Sequence, residues 1–220
     1  MQLRAFRNSP FARYLAPFFI LIFLSGWQGP AGGRQVFWMY GAKTVVALLV
    51  FIYFFKGHWH EIEGRFDVRA VFVGLAVLVI WLVSCAFFRV PSTAAYDPAA
   101  FDSNAKMILA VAVRLFGSFT VVPLIEELVW RSFLMRFLVK NDFLSVPLGT
   151  YTPVSFWIGT LTFALAHPMW QWPAALLTGI IYGFYLVKTK NLAGCILAHA
   201  VTNFGLGIYI IITRDWGLWV

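Results

Sequence analysis

Of the 220 residues, 61% are hydrophobic and only 12% charged, where an ordinary soluble domain carries about 25% charged residues and under half apolar ones. A water-soluble core of this size has no room for so much apolar surface, so a soluble domain is excluded and lipid is the expected solvent. The net charge of +8 comes from basic residues standing mostly at the edges of apolar runs, where anionic headgroups and the positive-inside bias account for them; no basic stripe with interleaved aromatics points to nucleic acid.

The first apolar run covers residues 14–27 and follows Arg4, Arg7 and Arg13. A basic segment before an apolar one also describes a signal peptide. No small-x-small cleavage site follows Ser25-Gly26-Trp27-Gln28, and more runs come later, so a retained first span is expected. The later runs are 36–55, 70–88, 107–125, a shorter 128–139, 154–166, 173–187 and 192–213. A helical span needs roughly 20 residues, which the full-length runs supply. The fold expected is all-α, a polytopic transmembrane helical bundle of seven to eight helices forming a single integral membrane domain over residues 1–220.

The connections are short. Residues 56–69 carry His58, His60, Glu61, Glu63 and Asp67, the two histidines reading as solvated or interfacial. Residues 90–104 carry Pro91 and Pro98, and 140–152 carry Asp142, Pro147 and Gly149. These are turn compositions, too short for a catalytic domain, so any chemistry falls to groups on the helices. Cys85 and Cys195 lie in apolar runs without a CxxC pattern and read as small core residues.

An ionisable group in a span costs roughly 2.5–3.5 kcal/mol on the insertion scale, so polar residues inside the apolar runs are the informative ones. They are Lys43, Arg114, Glu126, Glu127, Arg131, His167, His199 and Asn203. Lys43 and Arg114 can snorkel or pair with carboxylates. Glu127 and Arg131 are four apart and meet on one helix face, while Glu126 is turned about 100° away. His199 and Asn203 repeat the four-residue spacing, and His167 closes another run just before Pro168. A buried carboxylate and a histidine from neighbouring helices can hold a water and take its proton. A second histidine and an amide supply donors for a developing oxyanion. Neither a GxSxG elbow nor an HExxH zinc motif is present. Glu126, His167 and His199 could also supply the three ligands of an open zinc site.

At these residues the chain resembles a known family. Glu126-Glu127-x-x-x-Arg131, Phe163-x-x-x-His167 and His199-x-x-x-Asn203 are similar, in order, to the three motifs of the CAAX prenyl protease and Abi membrane protease family, over a protease-like core at residues 106–213. Trp130-Arg131-Ser132-Phe133-Leu134, Val146-Pro147-Leu148-Gly149, the residues from Leu197 to Asn203 and the tail Trp216-Gly217-Leu218-Trp219 resemble the branch that accompanies bacterial exosortase systems.

The resemblance implies an intramembrane endopeptidase of the glutamate type. Glu126 and His167 would activate water, His199 and Asn203 would hold the oxyanion, and Glu127 and Arg131 would support the site. It implies no cofactor, a membrane-associated protein or peptide substrate, a lipid bilayer, a link to an exosortase and a place in the bacterial cytoplasmic (inner) membrane. Ser132 departs from the glycine many members carry there, a difference that touches helix packing.

Two other functions compete. A non-catalytic membrane partner or immunity-type protein would keep the fold without turnover. A proton-relaying transporter predicts internal symmetry, which the sequence lacks. A seven-span arrangement satisfies the positive-inside rule but leaves Glu126 and His167 near opposite faces. A common depth follows if 128–139 crosses the membrane as an eighth helix, and this eight-helix arrangement is the one expected.

Overall fold

A computed structural model describes residues 6, 8–26, 34–64, 66–89 and 97–219. Arg4, Arg7, Trp27, Gln28, Val90 and Pro91, used in the sequence reading, lie outside them. The described residues form eight helices and no strand: α1 (Pro10–Gly26), α2 (Arg34–Phe54), the single turn α3 (Trp59–Ile62), α4 (Val68–Phe88), α5 (Asn104–Phe137), α6 (Pro153–Leu165), α7 (Trp172–Thr189) and α8 (Leu192–Thr213). Four segments are long and apolar enough to cross a bilayer: Val36–Gly57, Val68–Phe88, Asn104–Phe137 and Leu192–Thr213. The protein is an integral membrane protein with an all-α fold.

The expected eighth crossing at 128–139 is not a separate helix. It continues the run at 107–125 in one 34-residue helix, α5, about 50 Å long at 1.5 Å per residue. The charged pair Glu126-Glu127 separated the two runs, yet the helix continues through it and through Pro123 upstream. Proline has no N–H and its ring clashes with the carbonyl four residues back. The chain answers with a wider π turn over Gly117–Val121, where the Val122 N–H reaches Gly117 O, and a second π stretch over Leu128–Leu134. The helix therefore continues through Glu126 and Glu127 with both carboxylates on it. π turns inside α-helices frequently mark functional sites.

The chain forms two compact units. The first comprises residues 1–57, 91–125 and 207–220. Here α1 packs on α2, and α2 packs on the start of α5. Tyr40 is buried, with Lys43 Nζ 4.8 Å and the Arg114 guanidinium 4.1 Å from its ring centre. Both cations are themselves buried in the protein, where the aromatic ring accompanies them.

The second unit comprises residues 58–90 and 126–206. Its helices begin on local signals. Asp67 caps α4 by accepting from the Arg69 N–H, and Thr152 with Ser155 forms a capping box ahead of Pro153 on α6, devices that satisfy the orphan donors of a first turn. α7 packs on α6 and α4 and ends at Lys190 in the left-handed conformation. Gly149, at φ 70°, approaches this end so closely that an added Cβ would meet Leu186 O at 2.6 Å. α4 and α8 touch at Gly74, where a Cβ would lie 2.4 Å from Ala198 O. Thr202 bridges the same crossing, donating to Gly74 O at 2.7 Å.

The 56–69 connection is more ordered than its polarity suggested. His58 is fully buried, against the solvated expectation, whereas His60 is exposed. Glu61, on α3, is buried and accepts from Arg136 Nη2 at 2.7 Å and from the Ser132 hydroxyl. Ser132 thus ties α3 to the end of α5, a packing role in keeping with the sequence reading.

Candidate active site

All six sequence-derived site residues fall in the second unit, on the end of α5, just beyond α6, and on α8. Glu127 is the hub. It is fully buried; its Oε1 accepts from His199 Nδ1 at 2.9 Å, and its Oε2 lies 3.4 Å from Arg131 Nε. The expected i,i+4 ion pair is present. The bond to His199, 72 residues away in sequence, was not legible from spacing.

Arg131 is buried, its guanidinium stacked 4.6 Å from the Phe163 ring centre and 5.9 Å from that of Tyr182. Phe163, the first residue of the second motif, is 4.9 Å from the His167 ring and 6.4 Å from that of His199, centre to centre. One phenyl ring therefore contacts the guanidinium and both imidazoles.

The two histidines have defined tautomers. His167 Nδ1 lies 2.9 Å from Phe163 O. A carbonyl only accepts, so Nδ1 carries the hydrogen and Nε2 keeps the lone pair in the neutral ring. Trp172 Nε1 donates to His167 O at 2.9 Å, fixing the backbone as well. His199 is held the same way, its Nδ1 hydrogen directed at the Glu127 carboxylate. A carboxylate behind a histidine fixes its tautomer and its orientation.

Glu126 differs from its neighbour. It is half-buried, and its charge acts on His167, as do those of His199 and Arg131. Asn203 is also half-buried and sits one turn beyond His199 on α8. The arrangement brings a less buried carboxylate and an imidazole lone pair into electrostatic reach, beside a second imidazole braced from behind. Among the described residues, no three His, Cys, Asp or Glu side chains gather closely enough to hold a metal ion, the Glu126, His167 and His199 set included.

Several residues around the site escaped the sequence reading. Tyr182 packs its ring 5.8 Å from that of His199 and bonds Thr202 Oγ1 at 2.7 Å. Trp81, on α4, lies 5.7 Å from His167, ring to ring. Both aromatics sit in the apolar runs 70–88 and 173–187, neither of which holds a polar residue singled out above. The available signal was their polar tips, since a buried Tyr O–H or Trp N–H requires a partner.

Neither the curated proteins nor the solved structures contain a match to this chain. Residues 108–205, which hold Glu126, Glu127, Arg131, His167, His199 and Asn203, match the family described as type II CAAX prenyl endopeptidase Rce1-like.

Proposed function

We propose that the protein is an intramembrane endopeptidase that hydrolyses a peptide bond in a membrane-associated protein segment with a glutamate-activated water. The observation that carries this reading is the unequal use of the paired carboxylates. Glu127 is fully buried and committed to His199 and Arg131, while Glu126 is left half-buried within electrostatic reach of His167.

In this reading Glu126 takes a proton from the attacking water while His167, with its Nε2 lone pair, orients that water. As the carbonyl becomes tetrahedral, His199 Nε2–H and the Asn203 amide donate to the oxyanion. Donation from Nε2 requires a hydrogen on both ring nitrogens, and Glu127 supplies the counter-charge for that form. Glu126 then returns its proton to the leaving amine. Removing a general base costs about 10²–10⁴ in rate, and removing an oxyanion donor about 10²–10³.

The family description supports a substrate with a prenylated C-terminal segment. The resemblance of residues 130–134 and of the tail supports the exosortase-associated branch, and with it a bacterial inner-membrane setting and a functional link to an exosortase.

The test uses purified protein in lipid vesicles with a farnesylated peptide bearing a free C-terminus and the same peptide without the lipid. The wild type cleaves the farnesylated peptide, Glu126→Gln loses at least a hundredfold, and a zinc chelator leaves the rate unchanged. Equal cleavage by Glu126→Gln would remove it as the base. Loss on chelation with recovery on added zinc would move the site to metal chemistry.

A further inference from the structure

His167 has an aromatic neighbour that comes from outside the region matched to the family. Trp81, on α4, is 9% exposed and donates from Nε1 to Thr178 Oγ1 at 2.9 Å. The Thr178 hydroxyl donates in turn to Ala174 O at 2.8 Å, so its hydrogen is engaged and its lone pair faces the indole. This fixes the indole at its nitrogen end, and its ring lies 5.7 Å from the His167 imidazole at an interplanar angle of 53°.

The imidazole is tied at Nδ1 to Phe163 O and packed against the Phe163 ring. With the indole beside it, its rotation is restricted and Nε2 is its available chemical face. The charged and titratable groups acting on His167 are Glu126 and Arg131 from α5 and His199 from α8. Trp81 adds an aromatic ring that packs against the imidazole.

We propose that Trp81, anchored by Thr178, is a positioning residue for His167, holding its ring in place with Nε2 available. The proposal rests on the reading of His167 as a partner of the activated water, but its test reads the ring itself.

The full-length protein is placed in lipid nanodiscs with its histidines isotopically labelled. The chain has four histidines, and the His167 signals are those lost in His167→Gln. In Trp81→Leu the His167 ring resonances move through loss of the indole ring current. Trp81→Phe keeps a ring current beside the imidazole and moves them less. A folded Trp81→Leu with unchanged His167 resonances would overturn the proposal.

Should Trp81→Leu fail to fold, Thr178→Val decides. It frees the indole N–H, and the His167 resonances move if the tie positions the ring; unchanged resonances overturn the proposal. Where the vesicle assay finds cleavage, Trp81→Leu lowers kcat with KM held. An absence of cleavage by the wild type bears on the proposed function and leaves this readout standing.

Discussion

Glu127→Gln isolates the hub of the site, because the change keeps the side chain's shape and removes its charge. In the native protein one carboxylate oxygen accepts from His199 Nδ1 at 2.9 Å and the other lies 3.4 Å from Arg131 Nε, with all three side chains buried. The substitution leaves the Arg131 guanidinium buried without its counter-charge, a situation that costs about 3–5 kcal/mol. Loss of a charge-assisted bond to His199, worth about 1.5–3 kcal/mol, overlaps with that figure, because the glutamine carbonyl can still accept one hydrogen.

Arg131→Met should cost less, since Glu127 keeps His199 as a partner. Removing both charges in Glu127→Gln/Arg131→Met should recover part of the single-mutant loss, giving a coupling energy of about 1–3 kcal/mol. The assay is unfolding in a fixed detergent, with the four proteins compared as a double-mutant cycle. A Glu127→Gln protein within about 0.5 kcal/mol of the wild type, the ordinary range for surface changes, would refute the reasoning. So would a double mutant whose loss is the plain sum of the two.

Three further outcomes follow from the packing. Gly74→Ala places a Cβ 2.4 Å from Ala198 O and 2.8 Å from Val201 Cβ, so it should destabilise by about 1–3 kcal/mol as an overpacked contact, read as a lower Tm; an unchanged Tm would contradict the close crossing of α4 and α8. Glu61→Ala removes the buried carboxylate that pairs with Arg136 and should cost about 3–5 kcal/mol, whereas Ser132→Gly leaves their 2.7 Å bond in place and should cost about 1 kcal/mol; the reverse order in unfolding would show that the pair is unimportant. Bonds from Arg69 and then Tyr185 hold the Asp67 carboxyl at about 2, below its usual 3.8. A depressed carboxylate contributes stability that is present above its unfolded value and lost as pH falls through its folded one. Asp67→Asn should therefore flatten the acid limb of a stability–pH curve between about pH 4 and 2, and an unaltered limb would count against the Asp67 contacts.

Residue chemistry made the membrane-spanning class and the polar constellation readable. Glu127 and Arg131 meet because four residues separate them, and no tertiary knowledge is needed for that. The division between Glu126 and Glu127 was likewise a matter of angle. What spacing could not supply was contact between distant helices. The bond from His199 to Glu127, the indole of Trp81 beside His167 and the Tyr182–Thr202 pair all join residues from separate apolar runs. Periodicity gives such residues a face but no neighbour. The Glu126-Glu127 pair misled in the other direction, since two carboxylates between apolar runs read as a break and the helix continues through them. His58 and Glu61 misled through composition, because a polar connection hid two buried side chains.

The central claim is that Glu126 makes this protein a protease, and the most direct test compares membrane-protein termini by mass spectrometry in cells carrying the wild type or Glu126→Gln. New peptide ends should appear only with the wild type, at equal abundance of the two proteins, and they would name the substrate. Identical termini at equal abundance would contradict the claim and favour a membrane partner that keeps the fold without turnover.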